Sequence, residues 1–183
     1  LQWIISIYMV TLGALMVPAG RLADIFGRKR VLLIGITLFG LASLLCAIAA
    51  SVATLVAFRA LQGVGAALIF PASVSVITNA FPPAQSGRMI GLAYGIAGLG
   101  NAAGPLIGGL LTQTVGWRWI FALNIPLAAA CVLIGAFAIS ESRDTEAPRR
   151  IDVAGLALLT AGIGVFTLTF DRASAWGWWS LAT

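Results

Sequence analysis

The residue with the clearest chemical consequence in this sequence is Arg59, which lies inside the apolar stretch LVAFRALQGVGAA. An arginine near the centre of a membrane helix costs roughly 2.5 to 3.5 kcal/mol on insertion scales, so a compensating environment is expected. Arg59, Gln62 and Ala66 share one helix face by their spacing. This face predicts a polar, cavity-lining surface. The alternative is an Arg59 side chain that extends to the lipid headgroups.

A second candidate is the only acidic residue of the stretch GRLADIFGRKR, which runs from Gly20 to Arg30. Asp24, near the end of a helix, faces the negative end of the helix dipole, which is unfavourable unless a cation pairs with it or it caps the next helix. Arg28 follows four residues later, within reach. Gly20 and Gly27 supply close packing and a turn. A loop that only sets membrane topology would account for the basic residues but not for Asp24 or the two glycines.

A glycine-rich stretch, GLAYGIAGLGNAAGPLIGGLL, presents a stripe that is nearly free of side chains. Glycines spaced by four let another helix pack with its backbone in contact, and the proline bends the helix because it removes a backbone donor. The candidate residues are Gly100, Gly104, Pro105, Gly108 and Gly109. A static helix-pairing face and a face that slides or rocks both fit this pattern.

The composition argues against several classes of enzyme. The sequence has no His, and no Asp or Glu lies in the middle of an apolar run. His-based metal sites, Ser-His triads and membrane-embedded carboxylate dyads are therefore not expected. Cys46 and Cys131 fall inside apolar runs and lack a C-x-x-C spacing, which indicates packing residues. We expect a protein that is not an enzyme and that needs no metal and no cofactor.

Long apolar helices must position these residues. The chain has 183 residues, of which 60% are hydrophobic and 9% are charged, and its mean hydropathy is +1.02. Soluble domains carry roughly 25% charged residues, and about 20 apolar residues cross a hydrocarbon core, so we predict an all-α, polytopic transmembrane bundle. Six spans are predicted, at residues 1–20, 31–50, 54–78, 88–113, 118–139 and 153–170.

The basic residues indicate which helix ends face the cytoplasm. Eight of the eleven Lys and Arg residues lie in the first, third and fifth connections, and the positive-inside rule makes that side cytoplasmic. The predicted cytoplasmic loops are 21–30, 79–88 and 141–152. All six tryptophans fall at the opposite end, as interfacial residues do. Because the cations lie between apolar runs, we expect the lipid bilayer as a partner and no nucleic acid.

Three stretches together resemble signatures of the major facilitator superfamily, in family order and at family spacing. The first resembles the signature G-x-L-a-D-r-x-G-r-k between the family's second and third helices; the matching residues are Gly20, Leu22, Ala23, Asp24, Gly27, Arg28 and Lys29. The second resembles the fourth-helix signature R-x-x-q-G-x-g, at Arg59, Gln62, Gly63 and Gly65. The third resembles the fifth-helix signature of antiporters, G-x-x-x-G-P-x-x-G-G, at Gly100, Gly104, Pro105, Gly108 and Gly109.

A finer resemblance points to the fourteen-helix drug:proton antiporter branch. LQWIISIYM is similar to the start of that branch's second helix, WRWIFALNIP to the start of its sixth, and IDVAGLALLTAGIGVFTLTF with WGWWS to its additional seventh helix and outer loop. The resemblance implies a piece of a longer chain. Residues 1–140 would belong to the N-terminal bundle, 141–152 to a cytoplasmic linker, and 153–183 to the additional helix and outer loop.

The resemblance also implies a role for each candidate residue. Asp24 and Arg28, framed by Gly20 and Gly27, would form a cytoplasmic latch that holds the inner gate closed. Arg59 would take part in proton coupling, by tuning a partner carboxylate or exchanging partners with it. The glycine–proline signature would shape the interface with the second half of the transporter and disfavour leakage.

As a whole, the resemblance implies a secondary active transporter of the plasma (inner) membrane: a proton-coupled antiporter that exports drugs or amphipathic compounds by alternating access. Its partners would be protons, a small-molecule substrate and the remaining helices of the full-length chain. Tyr8, Met9 and Gln62 would line the cavity or pack between helices. Two alternatives stay open: an exporter of a narrower metabolite, and a membrane scaffold or sensor that kept the fold without transporting.

Overall fold

The structure, a computed structural model, describes residues 2–143 and 153–176. In this part of the chain every regular element is an α-helix, and six stretches are long and apolar enough to cross a membrane. The fifth of them, Arg118–Ala138, consists of two short helices in succession. The predicted all-α class and the six spans are confirmed. The helices are α1 (Gln2–Phe26), α2 (Arg28–Ala47), α3 (Val52–Ala80), α4 (Pro83–Thr114), α5 (Arg118–Ala122), α6 (Asn124–Ala138) and α7 (Val153–Trp176).

The charged stretch after the first predicted span is not a loop, so the prediction of a loop at 21–30 is wrong. α1 continues to Phe26 and carries Gly20 and Asp24 within it, and α2 begins at Arg28. Gly27 alone separates the two helices, with a φ of +114° that residues with side chains rarely adopt. Apolar length misplaces the helix end because a helix satisfies its own backbone hydrogen bonds and continues past the hydrocarbon.

The predicted loop at 79–88 is also much shorter than expected. α3 ends at Ala80 and α4 begins at Pro83, so Phe81 and Pro82 form the connection. Pro83 suits the first helical position, where its fixed φ is helical and its missing N–H would have no partner in any case. Arg88 therefore lies on a helix that extends beyond its apolar part.

α2 and α3 form the most extensive helix pair, because glycines let their backbones touch. A Cβ added to Gly65 would lie 2.7 Å from the backbone N of Phe39, and one added to Gly35 would lie 2.8 Å from the Cβ of Leu68. Lipid is as apolar as a leucine side chain, so membrane helices associate through close packing of small residues. The buried apolar positions are accordingly mostly alanines.

α1 packs against α3 as well, so α3 is the central helix of the bundle. A Cβ on Gly63 of α3 would lie 2.8 Å from the carbonyl oxygen of Tyr8 on α1. Gly20 lies closer to the other end of α1, where its added Cβ would lie 3.4 Å from the Cβ of Pro71. α7 packs on α1 in turn. The helix that carries Arg59 is therefore held from two sides.

The connections predicted to be cytoplasmic meet at one end of the bundle. The amide of Arg28 donates to the carbonyl of Ser142 at 3.0 Å, which joins the start of α2 to the chain after α6. At the opposite end, Arg118 donates to the carbonyl of Ala49, just beyond α2, at 3.1 Å. The spans from α1 to α6 therefore alternate in direction as predicted, and the assignment of the first end to the cytoplasm stays a prediction.

Some sequence predictions fall on residues outside the described ranges. These are most of the linker, at 144–152 with Arg149 and Arg150, and the outer loop at 177–183 with Trp178 and Trp179. The division into an N-terminal bundle, a linker and an additional helix also stays a prediction.

The contact between α2 and α3 gives a test of the packing. We expect Gly65→Ala to lower the free energy of unfolding by about 1 to 3 kcal/mol, because its Cβ would overlap the Phe39 backbone. Gly162→Ala on α7 is the matched control, since an added Cβ there meets no atom within 4 Å. Denaturation of the purified protein in detergent measures both, and equal midpoints would contradict the expected backbone contact.

Candidate functional site

Arg59 is held by neutral groups from α1 and α3. Its Nε donates to the backbone carbonyl of Ile4 at 2.9 Å, and its Nη1 donates to the side-chain oxygen of Gln62. Its guanidinium lies over the ring of Tyr8, 4.2 Å from the ring centroid, which is a cation–π contact. Within the described part of the chain the guanidinium thus has hydrogen-bond and ring partners but no carboxylate to neutralise it.

A buried relay of hydrogen bonds fixes the position of Gln62. Its side-chain Nε2 donates to the hydroxyl of Ser43 on α2 at 2.7 Å, and Ser43 donates in turn to the carbonyl of Phe39 at 2.8 Å. Gln62 is only 1% exposed and Ser43 is fully buried. A buried amide with both ends bonded has one stable orientation, so Gln62 presents its oxygen to Arg59. We define Ile4, Tyr8, Ser43, Arg59 and Gln62 as the Arg59 network.

The three residues predicted to line a cavity occupy different environments. Tyr8 is half-buried against Arg59, and Met9 beside it is 50% exposed. Gln62 lies between α3 and α2, on the side of α3 away from open space. Met9 is the one of the three that is most open to a ligand.

Asp24 and Arg28 form the ion pair that their spacing predicts. Both the Nε and the Nη2 of Arg28 donate to Oδ1 of Asp24, at 3.1 and 3.0 Å. Asp24 lies in the last turn of α1 and Arg28 is the first residue of α2. Each charge therefore sits at the unfavourable end of its own helix dipole, and the pair offsets both. The ion pair bridges the corner at Gly27.

Glu141, which follows α6, caps the start of α2. Its carboxylate accepts hydrogen bonds from the backbone amides of Lys29 and Arg30, at 3.1 and 3.2 Å. The position before α2 is Gly27, which has no side chain to satisfy these amides. A carboxylate at a helix N-terminus is favoured by both hydrogen bonding and the dipole. Lys29 strengthens the joint, because its Nζ donates to the carbonyl of Ala136 at 2.7 Å.

The glycine–proline stretch lies on a helix with little cover. α4 has no buried residue in this structure. Added Cβ atoms at Gly100, Gly104 and Gly109 would meet nothing within 4 Å, and one at Gly108 would lie 3.9 Å from Ile120. Pro105 lies inside the same helix. The stripe is thus a smooth surface that faces away from the other described helices.

The arrangement can be compared with known proteins. A family model described as Major Facilitator Superfamily matches residues 1–182. The chain belongs to the major facilitator superfamily. Its six apolar helices fit a multi-pass membrane protein of this superfamily.

Three of the relatives that the chain matches are named as resistance or export proteins. The chain is 37% identical over 182 residues to the tetracenomycin C resistance and export protein of Streptomyces glaucescens, covering 100% of this chain and 34% of the relative. It is 36% identical over 184 residues to the multidrug resistance protein Stp of Mycobacterium tuberculosis, with the same coverage. It is 40% identical to the puromycin resistance protein pur8 of Streptomyces alboniger, over 96% of this chain and 35% of the relative. The chain thus spans about a third of their length.

The sequence analysis does not predict two residues of these sites, Ser43 and Glu141. Ser43 is one hydroxyl in an apolar helix, and nothing near it indicates that it meets Gln62, 19 positions away. Glu141 contacts Lys29 across 112 positions. The available signal for Glu141 was the unpaired start of α2, whose preceding glycine cannot cap it.

The Arg59 network gives a second test. Ser43→Ala leaves the buried amide of Gln62 without its acceptor, so we expect a loss of about 1 to 3 kcal/mol in the free energy of unfolding. The control is Thr37→Ala on the same helix, because that exposed hydroxyl bonds only its own helix at Leu33. Chemical denaturation in detergent compares the two variants. Equal stability of both would contradict the relay.

Proposed function

We propose that the full-length protein is a proton-coupled antiporter that exports drugs or other amphipathic compounds by alternating access. The observation that carries the proposal is the charge of Arg59, which lies in a membrane-spanning helix among neutral partners. Ionisable residues in membrane spans mark ion and proton pathways. The names of the relatives support export as the direction and drugs as the class of cargo.

Proton coupling follows from the electrostatics of Arg59. A carboxylate from the rest of the transporter attracts the guanidinium when it is ionised, by about 4 kcal/mol at 4 Å in an effective dielectric of about 20. Protonation of that carboxylate removes the attraction, and Arg59 then keeps its neutral partners Gln62 and Tyr8. The two protonation states thereby favour two arrangements of the bundle halves, which is the requirement for exchange.

The second part of the proposal concerns the corner at Gly27 and the location of the protein. The corner lies at the end of the bundle with most of the basic residues, which the positive-inside rule assigns to the cytoplasmic face of the inner membrane. Asp24 and Arg28 are the latch of the inner gate in this proposal. No cofactor takes part, since the proton gradient drives transport.

Transport by the full-length protein in proteoliposomes tests the role of Arg59. We expect Arg59→Ala to abolish proton-linked flux, because the neutral side chain no longer distinguishes the two states of the carboxylate. Arg118→Ala, which removes an arginine at the outer end of the bundle, should retain most of the flux. Full proton-linked flux in Arg59→Ala would overturn the assigned role.

The wild-type protein in the same assay separates the alternatives. Quenching of an internal pH dye by several unrelated drugs supports multidrug export, whereas a response to a single metabolite supports the narrower exporter. The absence of proton-linked flux with any compound would favour a scaffold or sensor and would refute the proposal.

A separate experiment tests the latch. We expect Asp24→Asn to lower the transport rate of the full-length protein, because it removes the charge that Arg28 pairs with while keeping the side-chain shape. Membrane insertion, measured by resistance to carbonate extraction, should stay at the wild-type level. A loss of insertion would instead assign this stretch a purely topological role.

A further inference from the structure

A small pocket between α3 and α4 holds two aromatic rings. Phe70 of α3 and Tyr94 of α4 lie with their ring centroids 6.0 Å apart and their planes inclined by 55°. The rings border a cavity of about 120 Å³, whose other walls include Ser73, Ile77 and Ile90. Phe70 is 43% exposed and Tyr94 is 48% exposed, so both residues are only partly covered by the described part of the chain.

The pocket lies on the same face of α3 as Arg59. Arg59, Ala66, Phe70, Ser73 and Ile77 follow one another at intervals of seven, four, three and four residues, which places them in one row along the helix. Phe70 is eleven residues from Arg59, or about 16 Å along the axis. By this spacing Phe70 of the aromatic pair and Arg59 lie on one face of α3, with the buried Ala66 between them.

The depth of the pocket fits a transport site. α3 runs from Val52 to Ala80 and α4 from Pro83 to Thr114. Phe70 and Tyr94 each lie four to five residues from the middle of their helix, or about 6 to 7 Å at 1.5 Å per residue. Substrate sites of secondary transporters lie near the bilayer midplane. Both rings thus lie near the middle of their helices, displaced toward the end that carries the basic connections.

The lining of the pocket selects the chemistry of its occupant. Its walls are apolar or aromatic apart from Ser73, whose hydroxyl already donates to the carbonyl of Phe70 at 2.8 Å. Two rings inclined to each other offer an incoming ring both an offset face and an edge, the preferred geometries of aromatic contacts. A volume of 120 Å³ is well below the roughly 300 to 1,000 Å³ of drug-sized sites, so the pocket takes one ring and not a whole ligand.

We propose that Phe70 and Tyr94 form a specificity-determining subsite that binds one aromatic ring of the exported compound, while the rest of that compound lies outside this pocket. The inference rests on the proposed export function. It predicts that the protein prefers planar aromatic amphiphiles to aliphatic ones of the same charge.

Two cationic probes of equal charge test the subsite in the full-length protein, namely the planar aromatic ethidium and the aliphatic tetrabutylammonium. We expect Phe70→Leu and Tyr94→Leu each to raise the KM for ethidium roughly three- to tenfold, because both keep apolar volume but lose a ring. The KM for tetrabutylammonium and the maximal rates should be unchanged. Tyr94→Phe retains the ring and should behave as wild type.

Phe137→Leu is the matched control, because Phe137 on α6 is 89% exposed and far from the pocket in the sequence. Ethidium binding to the detergent-solubilised protein, measured by fluorescence anisotropy, gives a readout that does not require transport. A wild-type protein that binds ethidium but shows no proton-linked flux would refute the export function alone. Equal KM changes for both probes, an equal change in Phe137→Leu, an unchanged Kd in Phe70→Leu, or no ethidium binding by the wild type would each overturn the subsite.

Discussion

The structure depends on backbone contact between α2 and α3 at Gly35 and Gly65. Hydrocarbon provides no hydrophobic force to hold membrane helices together, so the contact must come from close packing. This contact brings Ser43 within hydrogen-bond distance of Gln62, and Gln62 in turn orients Arg59. The position of the charge within the span is thus a consequence of two residues that have no side chain. The Arg59 network therefore depends on the close packing that the small residues allow.

At the other end of α2, the glycine at the Gly27 corner again makes one helix depend on a contact with another part of the chain. Four amides at a helix start need acceptors, and the preceding glycine has no side chain to supply one. Glu141 supplies acceptors for two of them, the amides of Lys29 and Arg30, from beyond α6, so the capping of one helix also anchors another. The Asp24–Arg28 pair then joins α1 to α2 across the turn. α1, α2 and α6 are in this way connected at a single point by charge-assisted hydrogen bonds, which are stronger than neutral ones.

The sequence is sufficient to predict the parts of this architecture that depend on local pattern. Apolar length identifies six spans, and an i, i+4 spacing identifies the Asp24–Arg28 pair. It does not identify where α1 ends, because hydropathy reports the membrane boundary and not the helix boundary. The sequence also does not predict the roles of Ser43 and Glu141 or the Phe70–Tyr94 pocket. Each of them depends on a contact with a residue of another helix. Pairing across helices leaves no periodic signal in one sequence.

The contrast between α3 and α4 bears on the motion that the proposed alternating access requires. α3 is fixed between α1 and α2 by contacts that leave no room for a methyl group at Gly63 or Gly65. α4 has no buried residue, and an added Cβ at any of its glycines except Gly108 would meet nothing within 4 Å in the described part of the chain. A tightly packed unit that also presents a smooth surface is suited to rigid-body rocking, because the unit keeps its internal geometry while the surface slides. Phe70 lies on the tightly packed helix α3 and Tyr94 on the uncovered helix α4, so the aromatic pair joins the two helices. A ligand bound between the two rings would therefore contact both the tightly packed helix and the helix that presents the open surface.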